Sequence, residues 1–162
     1  MSHPTLFFYP RPRVDVAEVP ALAHAGAVLL TDTIHATGLA ASLREALDSW
    51  TKPLAEHHSS KVLLDLALTL AIGGEHASDA DLLRCEPDLF GDVASAPTIS
   101  RMLTTLAEDA PAVIEAISNA RRAARERAWA LAGDLSSSLR GIRAVSLLIR
   151  FVEVEHFLLK RQ

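Results

Sequence analysis

Residues 90–103, FGDVASAPTISRML, combine a turn that ends the preceding element with the start of a helix. Gly91 and Asp92 interrupt the preceding element, because both residue types favour turns. Ser95 is a suitable N-cap, since its hydroxyl can accept a hydrogen bond from a free amide of the first helical turn. Pro97 is tolerated two residues later, because first-turn amides have no partner within the helix. The stretch therefore predicts a turn followed by a helix.

The predicted helix has one apolar and one polar face. The apolar face follows the spacing i, i+3, i+4, i+7 and contains Ile99, Met102, Leu103 and Leu106. The rest of its surface carries hydroxyls and one guanidinium, from Thr98, Ser100, Arg101, Thr104 and Thr105. Such groups bond phosphates and base edges, so the pattern favours the recognition helix of a helix-turn-helix. An ordinary amphipathic helix with a solvated face is the alternative.

Composition indicates a globular, helical protein. The chain has 162 residues, of which 49% are hydrophobic, 22% charged and only 5% aromatic, with Ala and Leu dominant. The single Cys85 excludes an internal disulfide and fits a reducing cytoplasm. The sequence shows neither a signal peptide nor an apolar run of membrane-spanning length. We therefore expect a cytoplasmic protein.

Charge is distributed unevenly along the chain. Residues 1–110 carry 7 basic and 15 acidic side chains, a net charge of −8, whereas residues 111–162 carry 9 and 5, a net charge of +4. Any contact with DNA is therefore expected to depend on Arg101 and on the C-terminal half.

The remaining pattern predicts a helical bundle with an extended N-terminal arm. Prolines keep residues 1–20 out of a helix, and a short edge strand within them is the alternative. Helices are predicted over 26–35, 39–50, 61–72, 79–85 and 110–131. The helix over 79–85, with Ser78 as its cap and Pro87 as its end, is the predicted first helix of the helix-turn-helix.

The helix over 61–72 is apolar on nearly every side, which predicts a position at the centre of the bundle. Ser59 or Ser60 is expected to cap it, and Gly73-Gly74 to end it. Asp65 is the exception in this helix, and if buried it needs a hydrogen-bond partner.

The helix over 110–131 carries four arginines within seven residues: Arg121, Arg122, Arg125 and Arg127. At helical pitch the first three cluster on one side, where they can follow a phosphate backbone. A solvated, salt-bridged face is the alternative interpretation. Gly133-Asp134 is expected to end this helix, and residues 135–162 differ in character from the rest.

No residue pattern supports catalysis. His57-His58 are adjacent, so one helix face cannot present both, and Glu75-His76 with Asp79 and Asp81 lacks the spacing of a metal site. Nothing marks Cys85 as an activated nucleophile. We therefore predict no catalytic and no metal-binding residue, and a binding function.

Three segments resemble the N-terminal region of bacterial insertion-sequence transposases of the DDE type, the group known as transposase DDE domain group 1. They are AGAVLLTDTIHATGLAASLREAL (25–47), KVLLDLALTLAIGGEHASDADLLRCEPDLFGDVASAPTISRML (61–103) and NARRAARERAWALAGD (119–134). The resemblance implies recognition of DNA at the element's terminal inverted repeats. The predicted DNA contacts are Ser95, Thr98, Ser100, Arg101, Thr104, Arg121, Arg122 and Arg125.

The family also implies a catalytic domain whose three carboxylates hold two divalent metals. After Asp134 the sequence departs from the family pattern, and residues 135–162 contain no Asp. We therefore predict a DNA-binding region over 1–134, a divergent tail over 135–162, no bound cofactor and no strand cleavage by this chain alone. A helical protein that pairs with itself or with full-length transposase, and a free-standing helix-turn-helix regulator, are the alternatives.

Overall fold

The computed structural model describes residues 8–10 and 25–134. Their secondary structure consists of seven α-helices and three short 3-10 helices, without a strand among the described residues. The α-helices are α1 (Val28–Thr37), α2 (Leu39–Ala46), α3 (Ser59–Ala71), α4 (Asp81–Arg84), α5 (Pro87–Phe90), α6 (Ala96–Ala107) and α7 (Ala110–Asp134). The 3-10 helices are Ala25–Ala27, Asp48–Trp50 and Ala77–Ala80. The predicted mainly α fold is confirmed.

Two predictions fall outside the described residues. These are the extended arm, apart from residues 8–10, and the divergent tail over 135–162.

Helix α3 lies at the centre of the fold, and every residue from Ser59 to Thr69 is buried. Its side chains leave no polar face for water, so α2, α4 and the 3-10 helix Ala77–Ala80 pack around it. The helix ends at Ala71, and Gly73 follows with a φ of 102°, which glycine adopts at little cost. The predicted central helix and its glycine end are confirmed.

Asp65, in the middle of α3, is buried and fully partnered. Lys61, one helical turn earlier, donates from Nζ to both carboxylate oxygens at 2.6 and 2.7 Å. The Tyr9 hydroxyl donates to Asp65 Oδ1 at 3.0 Å, and the Lys61 ammonium lies 4.6 Å from the centre of the Tyr9 ring. The prediction that a buried Asp65 has a core partner is confirmed, and the cluster fastens residues 8–10 to the central helix.

Burial dominates the titration of this cluster. It raises the pKa of Asp65 to about 6, although Lys61 and the Tyr9 hydroxyl both act to lower it. Burial also lowers the pKa of Lys61, against the opposing effect of Asp65, and raises the pKa of Tyr9. Each group is thus shifted toward its neutral form by the loss of water.

Helix α7 is the longest described helix and packs mainly against α2. Its buried stripe consists of Val113, Ile117, Ala120, Ala124 and Ala128. Three of these are alanines at four-residue spacing, and such small side chains allow neighbouring helices to approach closely. On one flank of the stripe, the Arg127 guanidinium lies against Gly38, the residue between α1 and α2.

The predicted serine caps are wrong. His58 is the N-cap of α3, because its backbone is extended and its Nδ1 accepts a hydrogen bond from the Ser60 amide at 3.2 Å. Ser59 and Ser60 already lie inside the helix. Histidine is not among the usual capping residues, but when its Nδ1 is unprotonated this nitrogen accepts a hydrogen bond as a serine hydroxyl does.

Ser78 does not cap the helix that follows α3 either. His76 takes the N-cap position of the 3-10 helix Ala77–Ala80, and the Asp79 carboxylate accepts from the backbone amides of Glu75 and His76, both at 2.8 Å. These two amides hold the pKa of Asp79 below its usual value. The start of this helix is therefore held by the Asp79 carboxylate at its third position, which accepts from the amide of the N-cap residue, and not by the Ser78 hydroxyl.

Two predicted helices are divided. The segment over 39–50 forms α2 and then the 3-10 helix Asp48–Trp50, although Leu39, Leu43 and Leu47 are all buried on one side as predicted. The segment over 79–85 becomes the end of the 3-10 helix Ala77–Ala80 followed by α4.

Helix α4 ends at Arg84, so the helix over 79–85 stops before Pro87 as predicted. Pro87 opens α5, because the first position of a helix needs no amide donor. Helix α7 runs through Gly133 and Asp134. Asp134 is also the last described residue, so the predicted helix end at Gly133-Asp134 stays a prediction.

Candidate nucleic-acid interface

Helix α6 is fixed to the body of the protein by its apolar face. Ile99, Leu103 and Leu106 are buried and Met102 is half-buried, as the spacing predicted. Gly91, with a φ of 65°, makes the turn before the helix. Arg84 is ion-paired with Asp81 and donates from Nη1 to the Ala94 carbonyl at 3.4 Å, so α4 holds the chain just before α6 begins.

The outer surface of α6 carries a connected row of polar side chains at its N-terminal end. Ser95 Oγ lies 3.1 Å from Thr98 Oγ1, and Arg101 donates from Nη2 to the same Thr98 oxygen at 3.1 Å. Ser95 and Arg101 are exposed and Thr98 is half-buried. The row orients one guanidinium toward the start of the helix, where unpartnered backbone amides also favour an anion.

Ser95 occupies the predicted N-cap position, but its hydroxyl forms no capping hydrogen bond to a backbone amide. That part of the prediction is wrong, because the hydroxyl instead faces Thr98. The Thr104 hydroxyl donates to the Ser100 carbonyl at 3.0 Å, so its proton is used within the helix while its oxygen can still accept.

On α7, the arginines separate into two flanks of the buried stripe. At about 100° per residue, Arg121 and Arg125 lie on one flank with Arg122 further round, whereas Arg127 lies on the opposite flank against Gly38. Arg122 and Arg125 are exposed and Arg121 is half-buried. Arg122 donates to Asn119 one turn earlier. We call Arg121, Arg122 and Arg125 the arginine flank.

The two surfaces belong to consecutive helices. Helix α6 ends at Ala107 and α7 begins at Ala110, and Trp50 donates from Nε1 to Asp109 Oδ2 at 3.2 Å at the junction. The hydrogen bonds of Thr98 and Arg101 stay within the α6 region, and that of Arg122 stays within α7. The short connection places the polar row of α6 and the arginine flank of α7 on consecutive helices, and none of these hydrogen bonds joins the two groups of side chains.

The elements before α6 differ from the predicted first helix of a helix-turn-helix. Instead of one helix over 79–85, two helices of four residues each, α4 and α5, precede α6. The physical reason is local, since Glu86 and Pro87 start a new turn after α4 rather than extending it. Five residues, 91–95, then separate α5 from α6.

A cleft of about 480 Å³ lies between residues 8–10, the loop that precedes α3, and Gly91-Asp92. Its lining includes Arg44 and Lys61, the acids Glu56 and Asp92, and the histidines His57 and His58, of which burial lowers the pKa of His58. The Arg44 guanidinium lies 5.6 Å from the centre of the Phe8 ring, and Lys61 is already bonded to Asp65. Because the two acids balance Arg44 and Lys61, and because Lys61 is bonded to Asp65, the lining of the cleft does not favour binding of an anion.

Trp129 is the residue of this surface that sequence reasoning missed. It is 59% exposed and follows Arg125 by one helical turn, on the side of the arginine flank. The spacing i, i+3, i+7 of Arg122, Arg125 and Trp129 was visible in the sequence as a signal of a shared face.

Within residues 8–10 and 25–134, no group of three or more His, Cys, Asp or Glu side chains is placed to hold a metal ion. The same part of the chain has no helix that is both long and apolar enough to cross a membrane.

These features define a mainly α protein whose last described helix presents arginines on an outer flank. The chain belongs to a transposase family, because the family model described as transposase DDE domain group 1 matches residues 19–141. The match includes all seven α-helices, and the family resemblance of the sequence motifs is confirmed. No curated protein and no solved structure matches the chain.

Proposed function

We propose that this transposase-family protein recognises DNA at the terminal inverted repeats of an insertion element. The observation that carries the proposal is the hydrogen-bonded row of Ser95, Thr98 and Arg101 at the start of α6, the helix directly before the arginine flank of α7. Hydroxyl and guanidinium groups are the side chains that commonly bond base edges and phosphates.

The two helices have different proposed roles. Arg101, with Thr98 and Ser100, reaches base edges, because a guanidinium can make two hydrogen bonds to guanine. Arg121, Arg122 and Arg125 hold phosphates, since spaced positive charges on one flank follow a backbone without reading its sequence. The net charge of −8 on residues 1–110 opposes non-specific binding, so the affinity depends on these few arginines.

The test is a fluorescence-anisotropy titration of the full chain against an element end and a scrambled duplex, at several salt concentrations. Arg101→Ala is expected to cost about 1–3 kcal/mol on the element end and much less on the scrambled duplex. Arg121→Ala and Arg125→Ala are each expected to weaken binding to both duplexes and to reduce the salt slope by about one unit.

Arg127→Ala is the matched control, because this arginine is on the same helix but on the opposite flank. It is expected to change binding less than Arg125→Ala. If the wild-type protein binds neither duplex, or if all the arginine variants bind like wild type, the proposal is wrong. Co-purification with full-length transposase would then favour the interaction protein, and a dimer that binds other DNA would favour the regulator.

Catalysis by the chain alone is not part of the proposal. The absence of strand cleavage stays a prediction from residues 135–162, and specific nicking of an element end with Mg²⁺ or Mn²⁺ would contradict it.

A further inference from the structure

The two tryptophans of this chain have different surroundings. Trp50 is half-buried and donates from its indole nitrogen to Asp109 at 3.2 Å, so the fold uses it at the junction of α6 and α7. Trp129 is 59% exposed, and its indole makes no hydrogen bond or ring contact with another described residue. The described fold therefore does not account for a large aromatic side chain at position 129.

Trp129 lies beside the arginine flank. At about 100° and 1.5 Å per residue, it is rotated by about 40° from Arg125 and rises about 6 Å beyond it. It is about 20° from Arg122 and about 10 Å away along the axis. Two exposed guanidinium groups and one exposed indole thus follow each other along one side of α7.

This combination selects among anionic partners. The carboxylates of an acidic peptide would satisfy the guanidinium groups but have no aromatic face for the indole. The phosphates of a paired duplex would also satisfy the guanidinium groups, but its bases are stacked on each other and leave the indole without an aromatic partner. An unpaired nucleotide offers a free π-face next to a phosphate. Proteins that bind single strands combine basic tracks with exposed aromatic side chains in this way.

We infer that Trp129, Arg122 and Arg125 form a site for unpaired nucleotides, in which a base stacks on the indole and the flanking phosphates contact the two arginines. The inference rests on the proposed DNA-binding function. It adds that this protein binds DNA with an unpaired segment more tightly than fully paired DNA of the same length.

Tryptophan fluorescence provides a direct test, because the chain contains two tryptophans and either can be replaced. In the Trp50→Phe variant, Trp129 is the only indole, and addition of a single-stranded thymidine oligonucleotide is expected to quench its emission. In the Trp129→Phe variant, the remaining Trp50 is expected to keep its emission. A fully paired duplex is expected to quench Trp129 much less than the single strand.

Anisotropy with a labelled oligonucleotide gives the matching affinities. Trp129→Ala is expected to lower the affinity for the single strand about tenfold and the affinity for paired duplex much less. Trp129→Phe keeps a ring and is expected to retain part of the single-strand affinity. Leu131→Ala is the control, since Leu131 is also exposed, at 40%, but points to another side of α7.

The outcomes separate the two proposals. If duplex binds as proposed but the single strand neither quenches Trp129 nor depends on it, the inference is wrong and the proposed function stands. If neither form of DNA binds, both are wrong. If Trp129→Ala weakens binding to duplex and single strand equally, the indole is a general contact and the inference is again wrong.

Discussion

Helices α3 and α7 both carry charged side chains, but water reaches them differently. In α3, Lys61 and Asp65 lie within a helix that is buried from Ser59 to Thr69, and they bond to each other and to Tyr9. In α7, Arg122 and Arg125 lie outside the buried stripe. Buried charges must be partnered internally, whereas exposed charges stay available for a ligand. The exposed arginines of α7, and not the partnered charges of α3, are therefore available to form the candidate interface.

The largest effect is expected when a charge without a partner is placed in the buried helix α3. Leu66 is 7% exposed, and Leu66→Asp is expected to unfold the domain, because an unpaired buried carboxylate is strongly destabilising. Leu70→Asp is the matched control, since Leu70 belongs to the same helix but is 40% exposed. Thermal unfolding followed by circular dichroism measures both. A wild-type melting temperature in Leu66→Asp would contradict the central position of α3.

The partnered charge of α3 is expected to have a measurable cost of its own. The folded pKa of Asp65 is about 6, above the usual 3.8, so the folded state binds more protons than the unfolded state between these values. The contribution of Asp65 to stability is therefore fully present below about pH 4 and is lost as the pH rises through 6. Two pKa units correspond to about 3 kcal/mol.

Denaturant unfolding at several pH values between 4 and 7 tests this sign. Relative to Asp65→Asn, the wild-type protein is expected to lose free energy of unfolding as the pH rises. Asp92→Asn serves as the control, because Asp92 is an exposed carboxylate that also acts electrostatically on Lys61. If the difference between wild type and Asp65→Asn stays constant over this range, burial does not dominate the titration of Asp65.

The sequence predicted much of α3 and less of its connections. Its uniformly apolar side chains indicated a buried helix, and a carboxylate among them required a partner. Lys61, one turn before Asp65, was within reach of a sequence argument. Tyr9 was not, since it precedes Asp65 by 56 residues and only tertiary packing brings the two together.

The sequence predicted which helix faces form the candidate interface, but not how the helices contact their neighbours. The apolar spacing of α6 and the arginine cluster of α7 follow from helical pitch. The hydrogen bond between Trp50 and Asp109 at the junction of α6 and α7, and the contact of Arg127 with Gly38, depend on neighbours in space. His58 was missed as a cap because histidine accepts a backbone hydrogen bond only with Nδ1 unprotonated, which a residue pattern does not reveal.

The smallest predicted effect concerns the contact by which α7 touches the α1–α2 turn. Gly38 has a φ of 66°, and a Cβ there would meet the end of the Arg127 side chain. Gly38→Ala is expected to destabilise the protein by about 1–2 kcal/mol, because a left-handed backbone strains any residue that has a Cβ. Gly26→Ala is the control, since its Cβ would meet no atom and its backbone is not left-handed.

The double variant Gly38→Ala, Arg127→Ala shows which of two causes is responsible. Arg127 is exposed and its guanidinium is the flexible end of a long side chain, so it can move aside at little cost. We therefore expect the double variant to be no more stable than Gly38→Ala, as measured by denaturant unfolding. A recovery of most of the lost free energy would instead mean that Arg127 is held rigidly against the turn. In that case Arg127 would be engaged by contacts within the fold, as Lys61 and Asp65 of α3 are, and would differ in this from the arginine flank.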